Sequence, residues 1–372
     1  LHDPAQLTLA RAVADAIEQR GALVAEAGTG VGKTFAYLVP LLLSGRRALV
    51  STATKSLQDQ LFLRDLPRLC EALALPARLA LLKGRASYLC LHRLQQARIG
   101  AQLPDRASIR VLGRVEVWAQ GTRSGDLAEV EGLDERSPLI PLVSSTRENC
   151  LGSECPSYAD CHVMRARREA MAADLVVVNH HLFFADLALR DSGVAELLPT
   201  VDAAIFDEAH QLVEAGVQFL GTVLGTGQAL DLARDLLAAG LQHARGLQDW
   251  GQLAGGLEHA TRELRLACAG PARDGRAAAR LRFGERAEAI DGPLQALGQA
   301  AQAAADALAQ VEGVAPDMAK LGQRATELAA LAERFRQPAD DDRVRWIDLS
   351  AMQARLAEAP LDLREMLTEQ RQ

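Results

Sequence analysis

The stretch AGTGVGKT, residues 27–34, decides the fold of this chain. Its glycines let backbone N–H groups approach a bound phosphate closely, and Lys-Thr follows them at the spacing of a P-loop. An apolar run precedes the loop, and a helical pattern through Leu43 follows it. A glycine-rich turn without a ligand is the alternative, which the Lys-Thr pair disfavours. We therefore expect Lys33 to reach the β- and γ-phosphates of a nucleotide and Thr34 to ligate Mg²⁺.

The stretch IFDEAH, residues 205–210, supplies the second half of a nucleotide site. Asp207 and Glu208 come directly after the apolar residues of a predicted strand. Alone, such a pair is as often a solvated acidic turn, but the P-loop upstream makes a metal site the better interpretation. We expect Asp207 to hold Mg²⁺ through water and Glu208 to polarise the attacking water as a general base.

Apolar strands and helical patterns surround these two motifs. Helical patterns cover residues 5–20 and 56–69, and the chain from 222 to 360 is helical in pattern almost throughout. Parallel strands flanked by helices form a covered sheet, and ligands bind at the carboxyl ends of its strands. The sequence thus predicts an α/β domain followed by several antiparallel helices. The predicted strands are residues 22–26, 48–52, 77–82, 174–178 and 201–206.

Composition narrows the class of protein. The chain has 372 residues, 49% of them hydrophobic, and a formal net charge of −7. It has no overall basic field, so any DNA contact must rest on local patches. No apolar run is long enough to span a membrane, and the amphipathic N-terminal pattern is not that of a signal peptide. These features predict a soluble cytoplasmic protein of two or three domains.

Four of the six cysteines form a candidate group between the two halves of the nucleotide site. Four thiolates suit either zinc or an iron–sulfur cluster. Structural zinc sites usually show two tight pairs, whereas this set has one isolated cysteine and a spaced trio, which favours a cluster. Four ordinary cysteines are the remaining alternative. The pattern predicts a metal-binding module inserted into the nucleotide-binding domain. The four are Cys90, Cys150, Cys155 and Cys161.

Several motifs resemble those of a known helicase family. DEAH at residues 207–210 resembles the second motif of superfamily-2 helicases, whose first motif has alanine where this chain has Ala27. KGRASYLC at residues 83–90 resembles the lead into the first cluster ligand of the iron–sulfur DNA helicases. Further features resemble the bacterial DinG/YoaA branch of the XPD-like group: STAT at 51–54 with LQDQL at 57–61, NHHL at 179–182, and the spacing of the last three cysteines.

The resemblance implies a RecA-like P-loop NTPase domain with an inserted iron–sulfur cluster domain and an all-helical arch domain. Helicase domain 1 would comprise residues 1–85 and 171–222, the cluster domain 86–170 and the arch 223–360, with 361–372 beginning the return to helicase domain 1. The resemblance is specific over residues 1–222 and mostly positional beyond them.

The cofactors that the resemblance implies are ATP, Mg²⁺ and a 4Fe–4S cluster ligated by the four cysteines. Gln6 stands where the family reads adenine, although Asp3 occupies the position at which many relatives carry arginine. His210 is implied as a residue that couples nucleotide state to motion. The implied nucleotide-binding residues are Gln6, Ala27, Gly28, Thr29, Gly30, Val31, Gly32, Lys33 and Thr34.

DNA contacts are expected from motifs of the same family and from local basicity. Polar and basic side chains that contact phosphates position DNA without reading its sequence. Tyr88 either stacks on a base or packs against the cluster domain. Arginines that follow the last cysteine and others across residues 262–286 add local charge, with a solvated helix face as the alternative. The expected DNA-binding residues are Thr52, Thr54, Lys83, Arg85 and Asn179.

The function that the resemblance implies is that of an ATP-dependent 5′→3′ DNA helicase. Its partners would be single-stranded DNA and forked or flapped duplex DNA, in repair or replication. No Ser-Ala-Thr motif or arginine-bearing element of a second motor domain follows Glu208, so we expect an N-terminal half without helicase domain 2, inactive alone. The alternative is a metal-containing module without motor activity. It would bind single-stranded nucleic acid or have a regulatory role, and it would retain a nucleotide switch. Zinc in place of the cluster is a further alternative.

Overall fold

The computed structural model describes residues 3–28, 30–100, 106–135, 137–191, 197–212, 214–216, 221–270 and 279–360. These residues fall into two units. The first unit contains residues 3–88 and 122–126 and the described residues of 161–219. The second contains 89–121 and 127–160 and the described residues after 220. Within the described chain no helix is long and apolar enough to cross a membrane.

Helices make up most of the regular structure. A π-helical turn, Leu61–Asp65, joins α3 to α4. The helices are α1 (Pro4–Glu18), α2 (Lys33–Leu43), α3 (Lys55–Gln60), α4 (Leu66–Ala72), α5 (Leu91–Gly100), α6 (Arg106–Ala119), α7 (Ile140–Val143), α8 (His162–Ala172), α9 (His180–Asp191), α10 (Thr226–His243), α11 (Trp250–Ala269), α12 (Ala287–Ala309) and α13 (Pro316–Arg336). The strands are β1 (Ala48–Thr52), β2 (Leu79–Leu81), β3 (Leu175–Asn179), β4 (Ala203–Phe206), β5 (Thr222–Gly225), β6 (Ala279–Arg282), β7 (Arg343–Leu349) and β8 (Ala354–Pro360).

A parallel sheet with the order β2-β3-β1-β4 organises the first unit. β1 is buried along its whole length and β3 along all but its last residue, as expected for strands covered by helices on both faces. The register pairs Thr52 with Asn179 and Ser51 with Phe206. The carboxyl ends of β1, β3 and β4 therefore meet at one edge of the sheet. The predicted α/β class and four of the five predicted strands are confirmed.

The predicted strand before the P-loop is wrong for this structure. Residues 22–26 have no regular secondary structure and are exposed to solvent, Val24 to 99%. A strand needs a neighbour that takes up its backbone hydrogen bonds, and no strand in the described part of the chain pairs with this run. The apolar composition of residues 22–26 is therefore not sufficient to make them a strand.

The second unit combines helices with a second sheet. Helices α10 to α13 pack on one another in chain order around a core of leucine and alanine. Four antiparallel strands, in the order β5-β8-β7-β6, complete the unit. The prediction of an all-helical segment over 222–360 is therefore wrong. Arginines alternate with apolar residues along β7. The strand was missed because the neighbouring helices have a similar mixture of charged and apolar residues. Residues 361–372 lie outside the described chain.

A buried carboxylate fastens the second sheet to the end of α13. Glu358 on β8 is 1% exposed. It accepts hydrogen bonds from Arg334 at 2.5 Å and from Arg345 at 2.6 Å. Burial raises the pKa of Glu358, but these guanidinium groups outweigh it and hold the pKa below its usual value. The carboxylate is thus ionised and paired inside the unit.

The crossing of α10 and α11 depends on a glycine beneath a tryptophan. Trp250 is buried, and its indole N–H donates to the Ala244 carbonyl at 2.8 Å. A Cβ atom on Gly240 would stand 2.4 Å from atoms of the Trp250 ring. We expect Gly240→Ala to lower the free energy of unfolding by about 1–3 kcal/mol through overpacking. Urea unfolding of the 372-residue chain, followed by tryptophan fluorescence, measures this change, because all three tryptophans lie in the second unit.

Gly256→Ala on α11 is the matched control. A Cβ atom there would meet nothing within 4 Å. Removing an exposed glycine from a helix interior is expected to raise the free energy of unfolding by roughly 0.5–1 kcal/mol. If the two variants change stability in the same direction, the close approach of Gly240 to Trp250 is wrong.

Candidate functional site

The P-loop occupies the turn that leads into α2. Gly30 and Gly32 have φ values of +87° and +79°, in the left-handed region that suits glycine. Gly32 caps α2, whose first two residues are Lys33 and Thr34. A helix N-terminus presents unpaired N–H groups and a partial positive charge to an anion. The local backbone is thus shaped for phosphate. Thr29 lies outside the described residues.

The acidic pair follows β4 and faces the P-loop lysine. Glu208 Oε1 lies 3.6 Å from Lys33 Nζ, and both side chains are half-buried. Asp207 N–H donates to the Ser51 carbonyl at 2.9 Å, which fixes the turn against β1. Glu208 has a φ of +56°, a left-handed conformation that costs a residue with a Cβ atom about 1–3 kcal/mol. The surrounding structure therefore holds the backbone of Glu208 in a conformation that residues with a Cβ atom rarely adopt.

Tyr37 is a site residue that the sequence did not reveal. It lies three residues after Thr34 on α2 and is buried. Burial raises the pKa of Tyr37, and the Asp207 carboxylate beside it raises the pKa further. Burial likewise raises the pKa of Asp207, and the Glu208 carboxylate adds to the rise. A buried carboxylate next to a second negative charge favours a nearby cation. Thr34 and Tyr37 are three residues apart on a helix, so their side chains share one face, and this spacing could have indicated Tyr37.

Gln6 contacts the P-loop directly. Its side-chain amide donates to the Gly32 carbonyl at 3.0 Å. Asp3 caps α1 by accepting a hydrogen bond from Ala5 N–H at 2.7 Å. Asp3, which stands where many members of the family carry arginine, therefore caps the helix that carries Gln6.

A buried hydrogen bond links the acidic turn to the start of α9. Ser51 Oγ lies 2.7 Å from His180 Nδ1, and both residues are buried. The carbonyl of the same serine accepts from Asp207 N–H. Burial lowers the pKa of His180, which favours the neutral ring. One residue of β1 thus contacts both the acidic turn and the helix that follows Asn179. The sequence did not indicate this role because the partners are distant along the chain.

Two of the residues expected at DNA lie at the same sheet edge and cap helices. Thr54 is exposed and accepts from Leu57 N–H at 3.2 Å, which begins α3. Asn179 is half-buried and accepts from Leu182 N–H at 2.9 Å at the start of α9. Thr52 is completely buried, and its hydroxyl donates to the Thr54 carbonyl. Thr52 therefore offers no surface to DNA in this structure, contrary to expectation.

Lys83 also departs from its expected place at DNA. Its side chain is 3% exposed, and its ammonium lies 2.6 Å from both Asp59 and Asp126. Two carboxylates already neutralise the charge that a phosphate would need, so Lys83 has a structural role here. Tyr88 is buried and its hydroxyl accepts from Lys83 N–H at 3.0 Å, which favours packing over base stacking. Arg85 is half-buried.

Several arginines of the expected basic patches contact carbonyl or carboxylate groups of the protein itself. Arg165 donates to the Arg123 carbonyl at 2.8 Å. In the second unit Arg262 pairs with Glu258 on the same helix, and Arg280 pairs with Asp348 across the sheet. These contacts are typical of a solvated surface. Arg273 and Arg276 lie outside the described residues.

The cysteines are distributed over both units. Cys90, Cys150 and Cys155 belong to the second unit, whereas Cys161 begins α8 in the first. Burial raises the pKa of the Cys90 thiol to about 11, and Cys155 and Cys150 add to the rise, so these three sulfurs share one neighbourhood. Among the described residues no cysteine forms a disulfide, and no group of three His, Cys, Asp or Glu is arranged to hold a metal ion. Cys268 is buried in the core of the second unit.

A P-loop at a helix N-terminus, facing an acidic pair at the carboxyl edge of a parallel sheet, defines a P-loop NTPase domain. Residues 8–118 match the family model of the DEAD/DEAH box helicases. These residues therefore form a DEAD/DEAH box helicase domain, and the chain is similar to the YoaA and DinG helicases.

Two curated relatives are named ATP-dependent DNA helicase YoaA. The Haemophilus influenzae protein is 47% identical over 261 residues, which are 70% of this chain and 41% of that protein. The Escherichia coli protein is 47% identical over 262 residues, again 70% and 41%. The ATP-dependent helicase DinG of Mycobacterium tuberculosis is 40% identical over 232 residues, 56% of this chain and 34% of that protein. The chain thus spans about two fifths of the YoaA relatives.

One solved chain, described as truncated XPD, covers 93% of this chain and 84% of its own length. Its TM-score is 0.40 and its sequence identity 13%, values too low to indicate a shared fold.

Proposed function

We propose that this chain is the nucleotide-binding part of an ATP-dependent DNA helicase that moves 5′→3′ on single-stranded DNA and opens forked or flapped duplexes. The observation that carries the proposal is the approach of Lys33 to Glu208 at 3.6 Å, beside Asp207 and Thr34. Hydrolysis of a γ-phosphate needs a cation, metal ligands and a base, and we propose Lys33, Thr34 with Asp207, and Glu208 for these roles. The 47% identity to proteins named ATP-dependent DNA helicase supports the choice of substrate.

Nucleotide binding would exchange the partner of Lys33. Its ammonium pairs with Glu208 in this structure, whereas a bound β- or γ-phosphate carries more negative charge and would attract it away. Glu208 would then be available to accept a proton from the attacking water. Thr34 and Asp207 would hold Mg²⁺, which supplies charge neutralisation at the phosphates when bound. Gln6 contacts the loop from α1 and is the residue that we propose reads adenine.

The buried link through Ser51 offers a route from the nucleotide site to DNA. Ser51 contacts Asp207 with its carbonyl and His180 with its hydroxyl. Thr54 and Asn179 lie beside this link at the carboxyl edge of the sheet, where both begin helices. A shift of the acidic turn would therefore move the residues that we propose contact the DNA backbone. His210 lies 3.5 Å from Glu208 and is largely exposed. We propose that it transmits the same shift to a partner domain.

We also propose that Cys90, Cys150, Cys155 and Cys161 ligate a 4Fe–4S cluster. The chemistry of the donors fits, because the Cys155 and Cys150 thiols lie close enough to Cys90 to add to the rise that burial causes in its pKa. Cys161 follows Cys155 along the chain after five residues. Bound, the cluster would cross-link the parts of the chain that carry these cysteines.

The domain boundaries follow from this assignment. We propose helicase domain 1 in residues 1–85 and 171–222, the cluster domain in 86–170, and the arch in 223–360, now with four strands beside its helices. The start of a return to helicase domain 1 in residues 361–372 is part of the same proposal.

A strand-separation assay on the full-length protein tests the function. We expect ATP-dependent unwinding of a duplex with a 5′ single-stranded tail, no unwinding of a 3′-tailed duplex, and loss of unwinding in Lys33→Ala. Unwinding from the 3′ tail would refute the direction. Nucleotide-dependent binding of single strands without any unwinding would refute the motor and favour a non-motor regulatory module.

A further inference from the structure

An open cavity of about 560 Å³ lies within the second unit, apart from the nucleotide site. It is bounded by α5, α10, α13 and the residues on either side of Cys150. Its volume falls within the range of small-ligand sites, roughly 300–1,000 Å³. Four cationic side chains line it: Arg93, Arg245, Lys320 and Arg324.

Two buried arginines in its wall share one carboxylate. Arg93 and Arg324 are each 9% exposed, and they lie 3.2 Å and 2.8 Å from Asp235. Arg93 also donates to the Pro141 carbonyl at 2.9 Å. Burial raises the pKa of Asp235, but the two guanidinium groups outweigh it and hold the pKa low, so the carboxylate is ionised. One negative charge thus faces two buried positive charges.

The second carboxylate of the cavity does not correct this imbalance. Asp317 lies 3.0 Å from His92 Nε2 and accepts from the Gln96 amide at 2.8 Å. Toward the mouth, Lys320 is half-buried and Arg245 is exposed. Four cations against two carboxylates leave a net positive cavity wall.

We propose that this cavity binds a phosphate-bearing anion. A buried charge without a counter-charge is costly, and an anion in the cavity would remove that cost. Guanidinium groups present paired N–H donors that match phosphate oxygens, and Asn149 adds an amide donor. The described lining contains no aromatic side chain, so recognition would rest on phosphate rather than on a stacked base.

The ligand would also contact the cysteine-bearing segment. Asn149 and Leu151, which line the cavity, are the two neighbours of Cys150. Binding would therefore tie that segment to α10 and α13 of the same unit. The phosphate could belong to a nucleic-acid backbone or to a small phosphorylated molecule, and the two sources can be separated by experiment.

The test uses the full-length protein in a Lys33→Ala background, which removes phosphate binding at the P-loop. Calorimetry measures the affinity for inorganic pyrophosphate, and fluorescence anisotropy measures the affinity for a short oligothymidylate. The variants are Lys320→Ala and Arg245→Ala, whose side chains are not enclosed in the core. Arg262→Ala, a 68% exposed arginine on α11, is the matched control. Thermal unfolding shows whether each variant retains its fold.

We expect each cavity variant to weaken binding about ten-fold, as for loss of one charge-assisted hydrogen bond, and the control to leave it unchanged. Weakened pyrophosphate binding identifies a small phosphorylated ligand. Weakened oligothymidylate binding without pyrophosphate binding identifies a nucleic-acid backbone. If neither affinity changes in folded variants, the proposal is overturned and the arginines serve only to hold α5, α10 and α13 together. Because the Lys33→Ala background is not expected to unwind DNA, these affinities test the cavity independently of the helicase proposal.

Discussion

Replacing Glu208 with glutamine in the full-length protein is expected to slow ATP hydrolysis about 10²–10⁴-fold, the contribution of a positioned general base. The amide cannot accept the proton of the attacking water, although it keeps the size of the carboxylate. The same change removes the negative charge that lies 3.6 Å from Lys33. The lysine then loses its competitor for phosphate, so ATP should bind as tightly as before or more tightly.

Single-turnover hydrolysis and equilibrium binding of ATP separate the two effects. Lys33→Ala should lose binding as well as hydrolysis, because its ammonium is the proposed phosphate contact. Glu258→Gln, the same chemical change at a 46% exposed position in the second unit, should alter neither. A Glu208→Gln protein that hydrolyses ATP at the normal rate would assign the base to another residue.

Local patterns predicted the nucleotide site because its parts are each continuous in sequence. The glycines lead directly into Lys33 and Thr34 at the start of α2, and Asp207 and Glu208 directly follow β4. Buried parallel strands were equally visible, since β1 begins with three apolar residues and β3 with four. Such features need no knowledge of which distant segment lies beside them.

The features that were missed depend on partners far along the chain. Ser51 and His180 are 129 positions apart, and Lys83 meets Asp126 over 43 positions. Lys83 was expected at DNA because its neighbours in sequence are basic, yet folding brings two carboxylates to it. The apolar run at residues 22–26 shows the converse, since strand-like composition produced no strand without a partner. Charge and hydrophobicity along a sequence cannot supply these pairings.

Replacing Cys155 with serine is expected to remove most of the iron from the full-length protein. Purified without oxygen, the parent protein should contain about four irons per chain and absorb near roughly 400 nm, as a 4Fe–4S protein does. A serine hydroxyl has nearly the volume of the thiol but is a poor ligand for iron. Because Cys155 lies near Cys90 and Cys150, its loss should release the cluster and leave the first unit intact. Iron and sulfide analysis measures this directly.

Cys70→Ser is the matched control for this experiment. Cys70 is a half-buried residue of α4 in the first unit, so the same atom exchange there should leave the iron content unchanged. Zinc in place of iron in the parent protein would refute the cluster and leave the four thiolates as a zinc site. Full iron content in Cys155→Ser would instead remove this residue from the ligand set. Binding of single-stranded DNA by the iron-free variant then decides the module's role: unchanged affinity would show that the cysteine segment does not hold DNA.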